Sequence, residues 1–311
     1  MGMQLVTTAI IPIVLILALG AVLKRRFVTD DRFWRGTEWM SYHVFTPALF
    51  VESIAQTPLT EISLVPMVVS LAVPVLTFAV LLVALRRPMR ADGPQLTSLV
   101  QGSVRINTYI GLVFASALHG ANGIAAFALA AAIMVPLVNI VSVTTLSIYG
   151  QALGEGAGGP RAIVRQLVTN PLIQGCVAGL ALNLGGIGLP AVVAAPIEML
   201  AQPALVTGTL VAGAAITVRI GLRDSIDIVL TAALKLVALP LAGAAIASAF
   251  GVTATALAAI VIICAVPTAP SAYILARRMG GDARLMASIT GAQTVLSVAT
   301  LPLVLHLTAV S

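Results

Sequence analysis

The sequence predicts an all-α membrane protein of ten transmembrane helices, arranged as two inverted five-helix repeats with crossed, broken helices 4 and 9. Three observations predict it. Of 311 residues, 59% are hydrophobic and 9% charged, with a mean hydropathy of +1.07, which sets aside a soluble globular chain. The apolar residues fall into ten continuous segments, each able to cross a hydrocarbon core about 30 Å thick. Short strings also recur, in the same order, between the two halves of the chain.

The segments run over 4–23, 37–56, 64–85, 95–118, 123–148, 168–187, 192–217, 226–249, 255–276 and 285–309. They are unbroken runs of Ala, Leu, Val and Ile rather than alternating strands, so they read as helices and not as a barrel. Nothing basic precedes the first segment, while Lys24, Arg25 and Arg26 follow it directly, so it reads as a retained span and not a secretory signal. Further positive clusters are Arg86, Arg87 and Arg90; Arg161 and Arg165; Arg219 and Arg223; and Arg277, Arg278 and Arg284. Each lies in an alternate loop, and the intervening loops near 57–63, 119–122, 185–191 and 251–255 carry no Lys or Arg. The positive-inside rule then places both termini outside, periplasmic for a bacterial inner membrane, and requires an even number of spans. The net charge of +6 and pI near 10.0 therefore report topology rather than nucleic-acid binding.

The longest connection, residues 150–160, contains Gly154, Gly156, Gly158, Gly159 and Pro160 and reads as a flexible linker, with a short surface helix over 161–166. The chain divides accordingly into a first repeat over 1–150, a cytoplasmic linker over 151–167 and a second repeat over 168–311.

The recurring strings are offset by about 160 residues. Thr46-Pro47-Ala48-Leu49 recurs as Gln202-Pro203-Ala204-Leu205, and Ala72-Val73-Pro74 as Ala238-Leu239-Pro240. Tyr109-Ile110 parallels Tyr273-Ile274, and Val135-Pro136-Leu137-Val138 parallels Leu301-Pro302-Leu303-Val304. A unit of five spans is odd, so its second copy enters the membrane from the opposite side. Pseudosymmetry of that kind is what alternating-access carriers are built from, which points to transport.

Polar residues and helix breaks are expensive in hydrocarbon and mark candidate sites. Span 4 carries Gln101-Gly102-Ser103-Val104-Arg105-Ile106-Asn107-Thr108-Tyr109 at its middle, and span 9 carries Val266-Pro267-Thr268-Ala269-Pro270-Ser271-Ala272-Tyr273. Gly102, Pro267 and Pro270 are the expected helix breakers, because proline removes a backbone donor and clashes with the preceding turn. Two opened helices would leave free N–H and C=O groups and half-helix N-termini facing an anion. Arg105 can grip a carboxylate through two parallel hydrogen bonds, or else serve as a structural partner of Glu52 or Glu198. The amide of Asn107 suits a substrate carboxylate or freed backbone groups. Thr108, Tyr109, Asn139, Pro267, Thr268 and Ser271 complete the candidate substrate site, Thr268 and Ser271 as hydroxyl donors. Asn139 and Gln202 are weaker candidates, since buried amides often bridge helices without touching ligand. Glu52 and Glu198 are candidates for proton or ion coupling, unless they are solvated near the outer surface.

Lys235 is expected to snorkel or to pair with Asp224 or Asp227. His43, His119 and His306 are dispersed, Cys176 and Cys264 lie alone in apolar runs, and no phosphate loop or nucleophile elbow is present. No enzyme, metal or cofactor is expected, although coupling to H+ or Na+ is open.

These residues resemble the auxin efflux carrier family of permeases in its compact bacterial form. The resemblance is carried by Asn107-Thr108-Tyr109-Ile110-Gly111-Leu112, by Asn170-Pro171-Leu172-Ile173, by the stretch from Pro267 to Gly281-Asp282-Ala283, and by Thr300-Leu301-Pro302. It implies a central crossover of spans 4 and 9. It also implies a scaffold domain, here spans 1, 2, 6 and 7 with a homodimer contact, and a transport domain of spans 3 to 5 and 8 to 10. By motif match the carboxylate-binding role falls on Asn107 and the span 5 amide on Asn139. Bacterial members are similar to malonate and malate permeases, so the implied partner is a small carboxylate, or an auxin-like weak acid. The chain departs from the plant carriers in lacking a long hydrophilic central loop and in having Arg105-Ile106 before Asn107 where they have Asn-Pro, which favours a more strongly anionic ligand. A sodium-coupled symporter of the bile-acid type and a non-transporting membrane sensor are the alternatives.

Overall fold

A computed structural model describes residues 11–57, 63–151, 165, 168–215, 224–252 and 254–308. The linker glycines, Arg161, Arg219, Arg223 and most of the expected surface helix lie outside these residues. Among the described residues the regular structure is helical, with no strand, as expected of a chain in lipid whose backbone groups have no water to bond.

The first helix, α1 (Ile11–Val22), runs on through a π turn, Leu23–Phe27. Lys24 caps the exit by donating to the Thr29 carbonyl (3.0 Å) and pairing with Asp31, whose carboxyl it holds below the ordinary carboxylate range. Helix α2 (Asp31–Met40) starts six residues before the expected boundary of 37. The charges taken as punctuation there belong to an amphipathic first turn: Asp30 accepts the Arg32 N–H at 2.8 Å, and the Trp34 indole donates to the Val28 carbonyl. A π turn, Ser41–Phe45, leads into α3 (Thr46–Gln56).

Helix α4 (Leu64–Ala84) is followed by α5 (Gly93–Val104), capped by Asp92, and by α6 (Thr108–Tyr149). The last of these doubles back at His119 and Gly120. Gly120 has φ +54° and ψ −136°, which glycine adopts without a side-chain clash. Beyond the linker come α7 (Pro171–Leu184), capped by Asn170, and α8 (Ala191–Ala201) and α9 (Ala204–Ala214), separated at Gln202-Pro203. Helix α10 (Ser225–Ala233) continues through a third π turn, Leu234–Ala238, into α11 (Leu239–Ala249). The chain closes with α12 (Ala254–Ala265), α13 (Ser271–Arg278) and α14 (Ala283–Leu307).

Among the described residues, five stretches are long and apolar enough to cross a membrane: Leu64–Ala84, Gly93–Tyr149, Ala191–Ala214, Ser225–Ala249 and Ala283–Leu307. The others fall short because they are interrupted, charged at one end or only partly described. The recurring strings occupy matching places in the element order. Pro47 and Gln202-Pro203 open α3 and α9, Pro74 and Pro240 lie in α4 and α11, Tyr109 and Tyr273 follow breaks, and Pro136 and Pro302 lie inside α6 and α14.

Two packed groups emerge. Helix α3 lies on α7 and α8, and α1 lies on α9, where Gly20 and Gly213 let the backbones approach closely. Helices α4, α5, α11, α12 and α14 pack around one another, and every residue from Ala258 to Val266 is buried. Helix α6 touches both groups, reaching α3, α7 and α9 on one side and α5 and α12 on the other.

Candidate functional site

The segment expected to break at Gly102 does break, but three residues later. Gly102 is still helical, in the last turn of α5, and the non-helical residues are Arg105, Ile106 and Asn107. Glycine serves there for close packing rather than as a breaker: a Cβ would lie 2.8 Å from Ile289 Cγ2 and 3.4 Å from Thr231 Cγ2. The second interruption runs from Val266 to Pro270, between α12 and α13. Pro267 lies inside it, while Pro270 starts α13 as its N-cap residue.

The two interruptions meet and bond to each other. The Asn107 N–H donates to the Pro267 carbonyl (2.8 Å), and the Thr268 hydroxyl donates to the Gly102 carbonyl (3.1 Å). Gln293 of α14 completes the junction, its Nε2 donating to the Gly102 carbonyl (2.8 Å) while its Oε1 accepts from the Thr268 N–H (3.1 Å). Backbone groups that a break strands in an apolar interior need such partners. Each contact joins residues far apart in sequence, and Gln293 gave no signal in the sequence beyond being an amide inside an apolar run.

Arg105 stands at the end of α5 with φ −68° and ψ 157°. Its guanidinium donates to the Asn139 Oδ1 (3.1 Å) and, at 3.4 Å, to the Ser271 hydroxyl, so the structure brings Arg105, Asn139 and Ser271 together. The expected alternative partners, Glu52 and Glu198, are elsewhere. They lie near each other, on α3 and α8, and neither bonds to Arg105. Among the described residues the ion pairs are Lys24–Asp31, Arg284–Asp224 and Arg284–Asp282, so Arg105 has no carboxylate. Tyr42, carried on the Ser41–Phe45 π turn, lies against Asn170 and close enough to feel the charge of Arg105. π turns often mark such places, and the sequence reading had passed over Tyr42.

Asn107 is 3% exposed and caps α6, its Oδ1 accepting the Ile110 N–H at 3.4 Å. Thr108 follows as the first residue of that helix, half-buried. The Tyr109 ring packs against Gly208 of α9, with its hydroxyl buried beside Ser41. Thr268 is fully buried with both of its donors engaged, whereas Ser271 is exposed. Gln101, also fully buried, has neither amide atom bonded.

Lys235 neither snorkels nor pairs with Asp224 or Asp227. Asp224 binds Arg284 through both oxygens, and Asp227 accepts from the Gln95 amide at 2.6 Å. Lys235 is fully buried and donates to backbone carbonyls instead.

Paired helix breaks joined inside an apolar helical bundle are a feature of multi-pass membrane carriers built on discontinuous helices. Residues 160–305 match the family model described as membrane transport protein, that of the auxin efflux carrier family. The strings at Asn170, at Pro267 and at Thr300 lie within the matched stretch, and the Asn107 string lies before it. The family is one of transporters, not of enzymes. No curated protein matches the sequence.

Proposed function

We propose that this protein is a secondary active or facilitative carrier of small organic anions, mono- or dicarboxylates, working by alternating access. One observation carries the reading. The guanidinium of Arg105 lies at the junction of the two breaks and, among the described residues, bonds to the neutral oxygens of Asn139 and Ser271. Arg105 is half-buried, a charge so placed without a counterion is costly, and a carboxylate arriving beside exposed Ser271 would supply one through charge-assisted hydrogen bonds. Asn107 and the first N–H groups of α6 would add donors from a half-helix N-terminus. Thr268, Pro267 and Gln293 would hold the crossing rather than touch the substrate.

In this reading ten spans form two inverted repeats, 1–150 and 168–311, joined by 151–167 in the cytoplasm of a bacterial cell, with both termini periplasmic. Spans 1, 2, 6 and 7 form a scaffold and the homodimer contact, and spans 3 to 5 and 8 to 10 move against it. The packing supports this division, since α6 alone among the longer helices contacts both groups extensively. Glu52 and Glu198 lie with the scaffold helices, so coupling through them would act away from the substrate at Arg105.

The test is uptake of labelled mono- and dicarboxylates into proteoliposomes, with and without pH and sodium gradients. Arg105→Gln is expected to weaken dicarboxylates more than monocarboxylates, and an equal effect on both would make the arginine purely structural. Equal flux through wild type and Asn107→Ala would remove Asn107 from the mechanism. Binding without accumulation of any carboxylate would identify a sensor instead of a carrier.

A further inference from the structure

The last carbonyls of α12 are left open by the sequence that follows them. In a continuous helix the Ile263 carbonyl would accept from the N–H of residue 267, and the Cys264 carbonyl from that of residue 268. Residue 267 is proline and has no N–H, and the Thr268 N–H is taken by Gln293 Oε1 at 3.1 Å. Both carbonyls are claimed by one group, the Lys235 ammonium, which donates to Cys264 O at 2.7 Å and reaches Ile263 O at 3.5 Å. The Leu234–Ala238 π turn presents it, and its side chain is 0% exposed.

A buried ammonium with no carboxylate partner among the described residues demands an explanation. Its charge is met by two carbonyl oxygens and by the negative end of the α12 dipole. Oxygens at the C-terminal end of a half-helix are also what holds a coupling cation in carriers with discontinuous helices. The compact point charge of a lysine suits the same oxygens.

We propose that Lys235 is a tethered cation occupying the place of a coupling ion at the crossing, so that the protein runs without external sodium and acquires a need for a small monovalent cation when the ammonium is removed. The transport side of this proposal rests on the carrier reading above; the binding side does not.

Two measurements test it. In proteoliposomes, wild type is expected to take up a labelled dicarboxylate within about twofold equally in sodium and choline media, while Lys235→Ala loses about tenfold in choline and recovers with methylammonium. Sodium-dependent uptake by wild type would overturn the proposal, and this arm stands even where the alanine variant fails to fold. In detergent, Lys235→Ala is expected to be stabilised against heat by methylammonium chloride relative to choline chloride at equal ionic strength, and wild type is not. No cation-specific shift in Lys235→Ala, or an equal shift in wild type, would also overturn it. Lys235→Met, which fills the space without charge, separates the cases: it should respond to neither cation, and a rescue equal to that of alanine counts against a vacated site. Should wild type take up no carboxylate at all, the carrier reading fails while the thermal comparison still decides the role of Lys235.

Discussion

The two interruptions face the same problem and solve it with different chemistry. The first, between α5 and α6, is three residues long and contains no proline, and Arg105 still donates its N–H to the Gln101 carbonyl at 2.9 Å. The Gly102 carbonyl, in the helical turn just before this break, receives side-chain donors from Thr268 and Gln293. The second, between α12 and α13, is five residues long with two prolines, and its stranded carbonyls face Lys235 and Asn107. The first break therefore presents a side-chain cation, and the second presents backbone oxygens that draw cations and N–H groups from elsewhere. Breaks at corresponding places in the element order thus differ in electrostatic character.

The largest effect on this comparison is expected from Gln293→Leu. It leaves the Thr268 N–H unpaired and takes one of two donors from Gly102, at a cost on the order of 3 kcal/mol, read from thermal or denaturant unfolding in detergent. A neutral result would mean that the breaks do not depend on each other. Gly102→Ala should cost about 2 kcal/mol in the same assay, because the new Cβ must displace the Ile289 branch. If it instead stabilises, helix propensity outweighs the close approach. Thr268→Val removes only the hydroxyl bond to Gly102, for about 1 kcal/mol, and a larger loss would mean that Gln293 cannot hold the junction alone. The smallest effect, about 0.5 kcal/mol, is expected from Pro270→Ala, since this proline only starts α13 and acts mainly through the unfolded chain. A loss as large as that of Gln293→Leu would make Pro270 a true breaker.

Much of the fold was legible because lipid leaves the backbone few options. Long apolar runs without strand alternation had to be helices, and the structure places helices on all of them within the described residues. The start of α2 was misjudged because charged residues end an apolar run without ending a helix: Asp30 caps and Trp34 anchors a turn that hydropathy alone discards. At the candidate site, the proline break was legible from a missing donor, and Arg105 from its place in an apolar run. Gly102 was misread because glycine marks a break and a close contact with the same residue. Lys235 was misread because a long side chain near a segment end looks ready to snorkel until its neighbours are known.

Sequence alone settled where the helices must form and where one must stop, since these depend on local apolarity and on the presence or absence of an N–H at a given residue. Only the tertiary structure decided who answers the stranded groups. The donors and acceptors come from Gln293, Lys235, Thr268 and Asn107, lying 25 to 191 residues away along the chain from the atoms they bond, apart from closer caps. A hydrogen bond is short and directional, so its partner is fixed by how helices pack in three dimensions and not by any spacing within one of them.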